Sequence, residues 1–441
     1  MNEHLFNISD ILIVPLVLGV IIILMSYLKK KQPLVIQKYF FSAFFLRVFG
    51  AIAISAIVEF FYTYGDTYVY YYNAQILRTF FLKDPTAWLE LLFSNPKNGG
   101  VAITAYSDMI KEMNQYAAIV FQTNENASVC KIASIFNLFC FNSSIGIALC
   151  FGLLSFMGCW YIFKAFTHVY PGYEKQFAWL CLYLPSLWFW GSGILKDPIC
   201  IFALGLIFYN FFVKKGSILK RIIMIGIAAF LLLNVKSYIF YSFSVAAIIG
   251  WIFYRFKKFN FLSKAFSILL AGIIVVASYS AMQDFVTKSF EEILLESQGF
   301  IKSYSGQIAE GDATSVPVLD PSPVGFFKLS INGLVTVFLK PFPWELKKIL
   351  YLFLILENLY LYIIIFKKVK YGPLDFKSNH SYLTYFSFVF FIFLGVVVGV
   401  TAFNLGTIAR YRVPSLPFIF AGIFSLKLAN KKRKFEITVR L

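Results

Sequence analysis

Stretches of about 20 residues with almost no charge recur from one end of this chain to the other, and nothing limits its fold more. A helix needs about 20 consecutive apolar residues to cross about 30 Å of hydrocarbon. The first such run is ILIVPLVLGVIIILMSYL, Ile11 to Leu28. Only 14% of the 441 residues are charged and 59% are hydrophobic, against a charged share of roughly 25% in soluble domains. The sequence therefore predicts an all-α polytopic membrane protein, a single integral membrane domain over residues 1–441 with no separate soluble domain.

After the first run, hydropathy places spans near 39–62, 142–164, 176–192, 197–213, 220–235, 238–254, 263–281, 349–366, 381–402 and 407–426, about eleven in all. Glu3 and Asp10 precede the first run and Lys29, Lys30 and Lys31 follow it. That is the reverse of a cleavable signal peptide, so the run is a retained span with its N-terminus outside. The basic clusters Lys29–Lys31 with Lys38, Lys214/Lys215/Lys220/Arg221, Arg255/Lys257/Lys258/Lys264, Lys367/Lys368/Lys370 and Lys431–Lys434 then all fall inside, as cytoplasmic loops do. The tail 427–441 is cytoplasmic on this reading. A net charge of +18 held in short clusters between spans points to anionic lipid and excludes nucleic acid, which needs a folded basic surface. The six cysteines form no CxxC pair and the three histidines lie far apart, so they read as packing residues, and ligand spacing indicates no metal.

Two segments, 63–131 and 282–348, are too polar to span and both fall outside. The first opens with an amphipathic helix, Tyr70, Ala74, Leu77 and Phe81 on one face and Arg78 and Lys83 elsewhere, expected to lie on the membrane surface. The second contains SQGFIKSYSGQIAEGDATSVPVLDPSPVG (Ser297–Gly325), expected to be an irregular loop able to act as a lid. No internal repeat is visible, which weighs against repeat-built transporters.

Several charges collect on the outer face. FYTYGDTYVYYYNA (Phe61–Ala74) sets Asp66 among aromatic rings at the end of the second span. A carboxylate half in water and half against rings suits a general base; alternatively Asp66 simply N-caps the next helix. In LPSLWFWGSGILKDP (Leu184–Pro198), Gly191, Ser192 and Gly193 suggest a tight outer turn in which Lys196 and Asp197 either serve a site or mark the water boundary. Trp188 and Trp190 fit an interfacial belt. In VFLKPFPWE (Val337–Glu345) two prolines forbid a regular helix. Phe326 to Leu339 then either dips into the membrane and returns at Lys340, or is a surface helix stopped by proline. GTIARYRVPSLPF (Gly406–Phe418) puts Arg410 and Arg412 at the outer mouth of the last span, where guanidinium forks match phosphate oxygens or else snorkel to headgroups. Lys236, in NVKSYIF, adds a cation with the same two readings. Glu59, Asp197 and Glu345 are supporting acids to which the base role passes if Asp66 is only a helix start. Arg47 and Glu357 lie inside spans, where each would cost about 2.5–3.5 kcal/mol facing lipid; a structural pair between them is expected, the alternative being a supporting role in the chemistry.

Together, Asp66 in the first large outer loop, PSLWFWGSGILKD and RYRVPSLPF resemble the GT-C superfamily of polytopic glycosyltransferases, in particular the bacterial relatives of protein mannosyltransferases and aminoarabinose transferases. The resemblance covers some 60 residues at motif level. It implies a bacterial cytoplasmic-membrane enzyme that takes a sugar from a polyprenyl-(pyro)phosphate carrier on the outer face. It further implies Asp66 as catalytic carboxylate and Lys196, Lys236, Lys340, Arg410 and Arg412 as candidates for the donor phosphate. Tyr64, Tyr68, Trp190 and Trp344 are candidates for stacking on sugar. The chain departs from the family in two ways: Asp66 stands alone without a paired acid, and no sizeable soluble domain follows the last span. A divalent metal is thus compatible with the family but not implied by these residues. Oligosaccharide-repeat polymerases look similar, and a transporter or flippase of lipid-linked saccharide is the rival from another class.

Overall fold

The structure, a computed structural model, describes residues 4–62, 65–113, 115–213, 216–256, 323–345, 351–370, 382–401 and 405–425. The expected span 263–281, residues 282–322 of the expected second outer loop, the tail 427–441 and Tyr64 lie outside the described residues. Among the described residues every regular element is a helix. Six helices are long and apolar enough to cross a membrane: Asp10–Lys30, Leu34–Tyr62, Ser144–Val169, Ile218–Val235, Ser237–Arg255 and Tyr382–Gly399. Each coincides with an expected span. The chain divides into two compact units, Met1–Phe240 and Tyr241–Leu441.

The first unit is built around Ser144–Val169. Phe40–Ile57, Lys196–Phe212 and Glu174–Leu182 pack against it, and its own residues are mostly buried. Small residues permit this closeness. A Cβ on Gly205 would stand 2.1 Å from the Gly158 carbonyl oxygen, and one on Gly158 would stand 2.2 Å from that of Ile201, so these helix backbones touch, as small residues allow in membrane bundles. Phe40 meets Phe156 and Trp160 edge to face at 5.0 and 4.8 Å, in the range favoured by ring quadrupoles. Asp10–Lys30, by contrast, leaves Ile11, Leu12, Val20 and Ile23 exposed. A continuous apolar face of that kind fits lipid rather than water.

The expected span 176–192 is not one helix. It breaks into Glu174–Leu182 and Pro185–Phe189, and nine residues rise only about 14 Å. The residue before a proline is driven out of the α region, and Leu184 does sit at φ −58°, ψ 129°. The break exposes a carbonyl inside the unit. Arg47, buried in the Phe40–Ile57 helix, donates from Nη1 to that Leu182 oxygen at 2.9 Å. A guanidinium at the negative end of a helix is favourable, and backbone freed at membrane depth needs such a donor. Arg47 and Glu357 belong to different units; within its own unit Arg47 is held by this contact with the broken helix.

The segment 63–131 is a helical layer. Asp66–Lys83 forms as expected, but it is buried on several faces, not lying on a surface by one stripe. Tyr70, Tyr71, Asn73, Ala74, Gln75, Ile76 and Leu77 are all buried, and it packs mainly on Asn124–Cys140. Polar contacts tie its interior to its neighbours: Tyr106 Oη donates to Asn73 Oδ1 at 2.7 Å, and Asn137 Nδ2 to the Ala74 carbonyl at 3.1 Å.

In the second unit, Pro323–Leu339 lies along Tyr382–Thr401. A Cβ on Gly399 would meet Gly333 Cα at 2.3 Å. The helix stops at Leu339, before the cis Lys340–Pro341 bond. Phe386, Phe390 and Phe418 close the core beside it.

Candidate functional site

In the first unit, Asp66 is exposed and is the first residue of its helix. The cap position belongs to Gly65, at φ 118° and ψ −171°, a conformation essentially only glycine holds. The expected N-cap role of Asp66 therefore shifts by one residue. Its carboxylate sits in the first turn, where the helix dipole favours negative charge.

Glu59 is more elaborately held. It lies in a π-helical stretch, Val58–Tyr62, a feature frequent at functional sites. Its carboxylate accepts from the Leu5 N–H at 2.9 Å, lies 2.9 Å from His4 Nδ1, and accepts from the Tyr68 hydroxyl. Burial, and then the hydrogen bond to Glu59, raise the Tyr68 phenol above its ordinary pKa, so it remains a donor. His4 and Leu5 thus meet the Asp66–Lys83 helix at Glu59, through Tyr68, two residues along that helix from Asp66.

Lys196 and Asp197 open the Lys196–Phe212 helix. Asp197 is fully buried and takes Lys236 Nζ at 2.6 Å. Lys196 meets Glu125 at 3.1 Å, and next to it Asn124 Nδ2 donates to Asn234 Oδ1 at 2.8 Å. The stretch Gly191–Leu195 is buried too, so the expected water boundary at Lys196–Asp197 is corrected: Asp197 is interior. Lys236 carries its counter-charge within the chain.

One group was missed by sequence reading. Lys131, buried in the Asn124–Cys140 helix, donates to the Ser94 carbonyl at 2.6 Å, and burial pushes its ammonium down to about 8. No local pattern marks it; its signal was a lysine among Val129, Cys130 and Ala133.

In the second unit the carbonyl end of Pro323–Leu339 is ringed by donors. Arg412 Nη1 donates to the Val337 oxygen at 2.8 Å and the Lys340 oxygen at 3.4 Å. Asn358 Nδ2 reaches the Lys340 oxygen at 3.1 Å, and the Tyr362 hydroxyl reaches Leu339 at 2.7 Å. Glu357, buried on the same helix as Asn358, acts on Arg412 electrostatically. Arg412 is 2% exposed, yet its Nε and Nη2 have no hydrogen-bond partner among the described residues. Arg410 lies in the last turn of the Leu405–Tyr411 helix, half-buried. Glu345 closes the turn Pro343–Glu345, and Trp344 is exposed with Phe342 stacked on it at 4.8 Å.

The structure thus gathers Lys196, Asp197 and Lys236 in the first unit, and Lys340, Glu357 and Arg412 in the second. Glu59 is joined to the start of the Asp66 helix through Tyr68. Among the described residues no three of His, Cys, Asp and Glu gather at metal-binding range. Comparison with protein-family models, curated proteins and solved structures returns no match.

Proposed function

We propose that this chain is a membrane glycosyltransferase of GT-C type in a bacterial cytoplasmic membrane. It moves a sugar from a polyprenyl-(pyro)phosphate carrier to a glycan, lipid or protein acceptor on the outer face. One observation carries the reading: Arg412 is buried with two N–H-bearing nitrogens unpartnered among the described residues. Leaving such donors without acceptors costs free energy of about 1–3 kcal/mol per group, more for charged ones, and a phosphate oxygen pair fits a guanidinium edge. The Nη1 anchor to Val337 holds the fork in place, and Arg410 lies two residues away.

In this reaction the acceptor hydroxyl gives its proton to a carboxylate as its oxygen attacks the anomeric carbon, a role for which Asp66 is the candidate of the first unit. The bond from that carbon to the carrier phosphate breaks, and the phosphate leaves with the electron pair; Arg412 and Arg410 are the second unit's own candidates for binding a carrier phosphate. An exposed carboxylate is reachable by an acceptor from water, while the phosphate comes from lipid. A polymerase or ligase that transfers whole oligosaccharides would use the same groups.

A second reading, a transporter of lipid-linked saccharide, is favoured by the interrupted Glu174–Phe189 segment and the buried Arg47 at its break, since transporters build sites on discontinuous helices. Turnover separates the two. Purified protein in nanodiscs is given polyprenyl-phosphate-linked sugar and a mixed acceptor extract, and free polyprenyl phosphate is measured. Asp66→Asn keeps the first helical turn but loses the proton acceptor, so release should fall by about 10²–10⁴. Release unchanged in Asp66→Asn removes Asp66 from the chemistry, and no release by the native protein favours transport.

A further inference from the structure

A pocket of about 280 Å³ lies at the other end of the first unit, some 30 Å along the Ser144–Val169 helix from Ser144, which bonds the Leu5 carbonyl near Glu59. It belongs to no part of the site above, and the charge pattern puts this end inside. Lys164 and His168 line it from consecutive turns of one helix. Residues four apart share a helix face. Lys164 Nζ lies over the Tyr209 ring at 4.8 Å and near that of Tyr161 at 5.9 Å, which fixes the ammonium at the pocket wall. Glu174 lines the pocket as well, and its Oε1 accepts the Gly172 N–H at 2.9 Å, so the carboxylate is oriented by the turn. One wall is cationic and another anionic. Pro33 and Val35 form part of the rim, and the neighbouring Leu34 is 83% exposed, an apolar surface along which acyl chains can lie.

We infer that this pocket binds the headgroup of phosphatidylethanolamine from the adjoining leaflet. The phosphodiester sits on Lys164 and His168, and the primary ammonium donates to Glu174. A purely anionic ligand would meet the Glu174 carboxylate, and a quaternary ammonium has no N–H to donate to it. The volume lies just under the range of drug-sized sites and suits a compact headgroup. Basic sites between helices on the cytoplasmic side are known lipid-headgroup binders.

The full-length protein in nanodiscs of equimolar phosphatidylethanolamine, phosphatidylglycerol and phosphatidylcholine is released into detergent, and the lipids that stay bound are identified by native mass spectrometry. Phosphatidylethanolamine should be enriched over both others. Lys164→Gln should abolish retention. Glu174→Gln, which keeps an acceptor for Gly172, should leave phosphate binding but lose the preference over phosphatidylcholine. Equal retention of the three lipids by the native protein overturns the assignment, as does preferential retention of phosphatidylglycerol. So does an unchanged lipid profile in both variants, each checked to be monodisperse.

Discussion

Lys236 can be a phosphate ligand or half of a structural ion pair, and substitution separates the two roles. Lys236 and Asp197 are 3% and 0% exposed, with Nζ and Oδ1 2.6 Å apart. Removing one partner of a buried pair typically costs about 3–5 kcal/mol, because the other charge is left unpaired, whereas replacing both with apolar or neutral groups is often neutral or stabilising. For a unit of this size each kcal/mol shifts the midpoint by about 2–4 °C. Lys236→Met and Asp197→Asn should therefore each lower the thermal midpoint by roughly 6–20 °C. The double variant should recover most of the loss. The assay is thermal unfolding in nanodiscs, followed by tryptophan fluorescence, for the four proteins of the cycle. Single losses that simply add in the double variant would refute the pair. A Lys236→Met protein of native stability that no longer binds polyprenyl phosphate would show instead that Lys236 is a ligand.

Two further outcomes follow from charge placement. Lys131 has its ammonium pushed down to about 8 from 10.5 by burial. Below pH 8 it is charged both folded and unfolded, and folding carries the full burial cost. Between pH 8 and 10.5 only the unfolded chain holds the proton, so stability rises with pH until the cost is gone. Lys131→Met should accordingly stabilise by up to roughly 3 kcal/mol below pH 8 and lose its advantage by pH 10.5; an advantage independent of pH contradicts the burial cost. For topology, single cysteines at Asn98 and Ser315 in a cysteine-free background should both react with impermeant maleimide in intact cells. Labelling of only one would break the two-loop arrangement.

How far the sequence could be read depends on the range of each interaction. Helices set by hydropathy alone, such as Asp10–Lys30 and Ser144–Val169, were legible because about 20 apolar residues in a row leave one solution in lipid. The start of Asp66–Lys83 was legible to within a residue; the cap position went to Gly65, whose φ of 118° suits glycine. The break at Leu184–Pro185 carried a local signal that hydropathy overrode. With the break goes the role of Arg47: its cost in a span was evident, but its partner is a backbone carbonyl 135 residues away, which no spacing encodes. Asp197 and Lys236, 39 residues apart, were both visible as charges, and their pairing was not. Arg412 was singled out for its side chain, and the structure adds what the motif lacked, a helix end at Val337 to anchor it.

Phosphate binding by Arg412 is open to direct measurement. Radiolabelled polyprenyl monophosphate is titrated into nanodiscs containing the native protein, Arg412→Lys or Arg412→Gln, with thermal stability measured alongside. Lysine can keep one bond to the Val337 carbonyl but cannot reproduce the planar fork. Saturable binding by the native protein, weakened at least about tenfold in both variants, corresponds to losing a charge-assisted pair worth about 1.5–3 kcal/mol. Binding that is unchanged in a folded Arg412→Gln protein, or absent from the native one, would contradict the account.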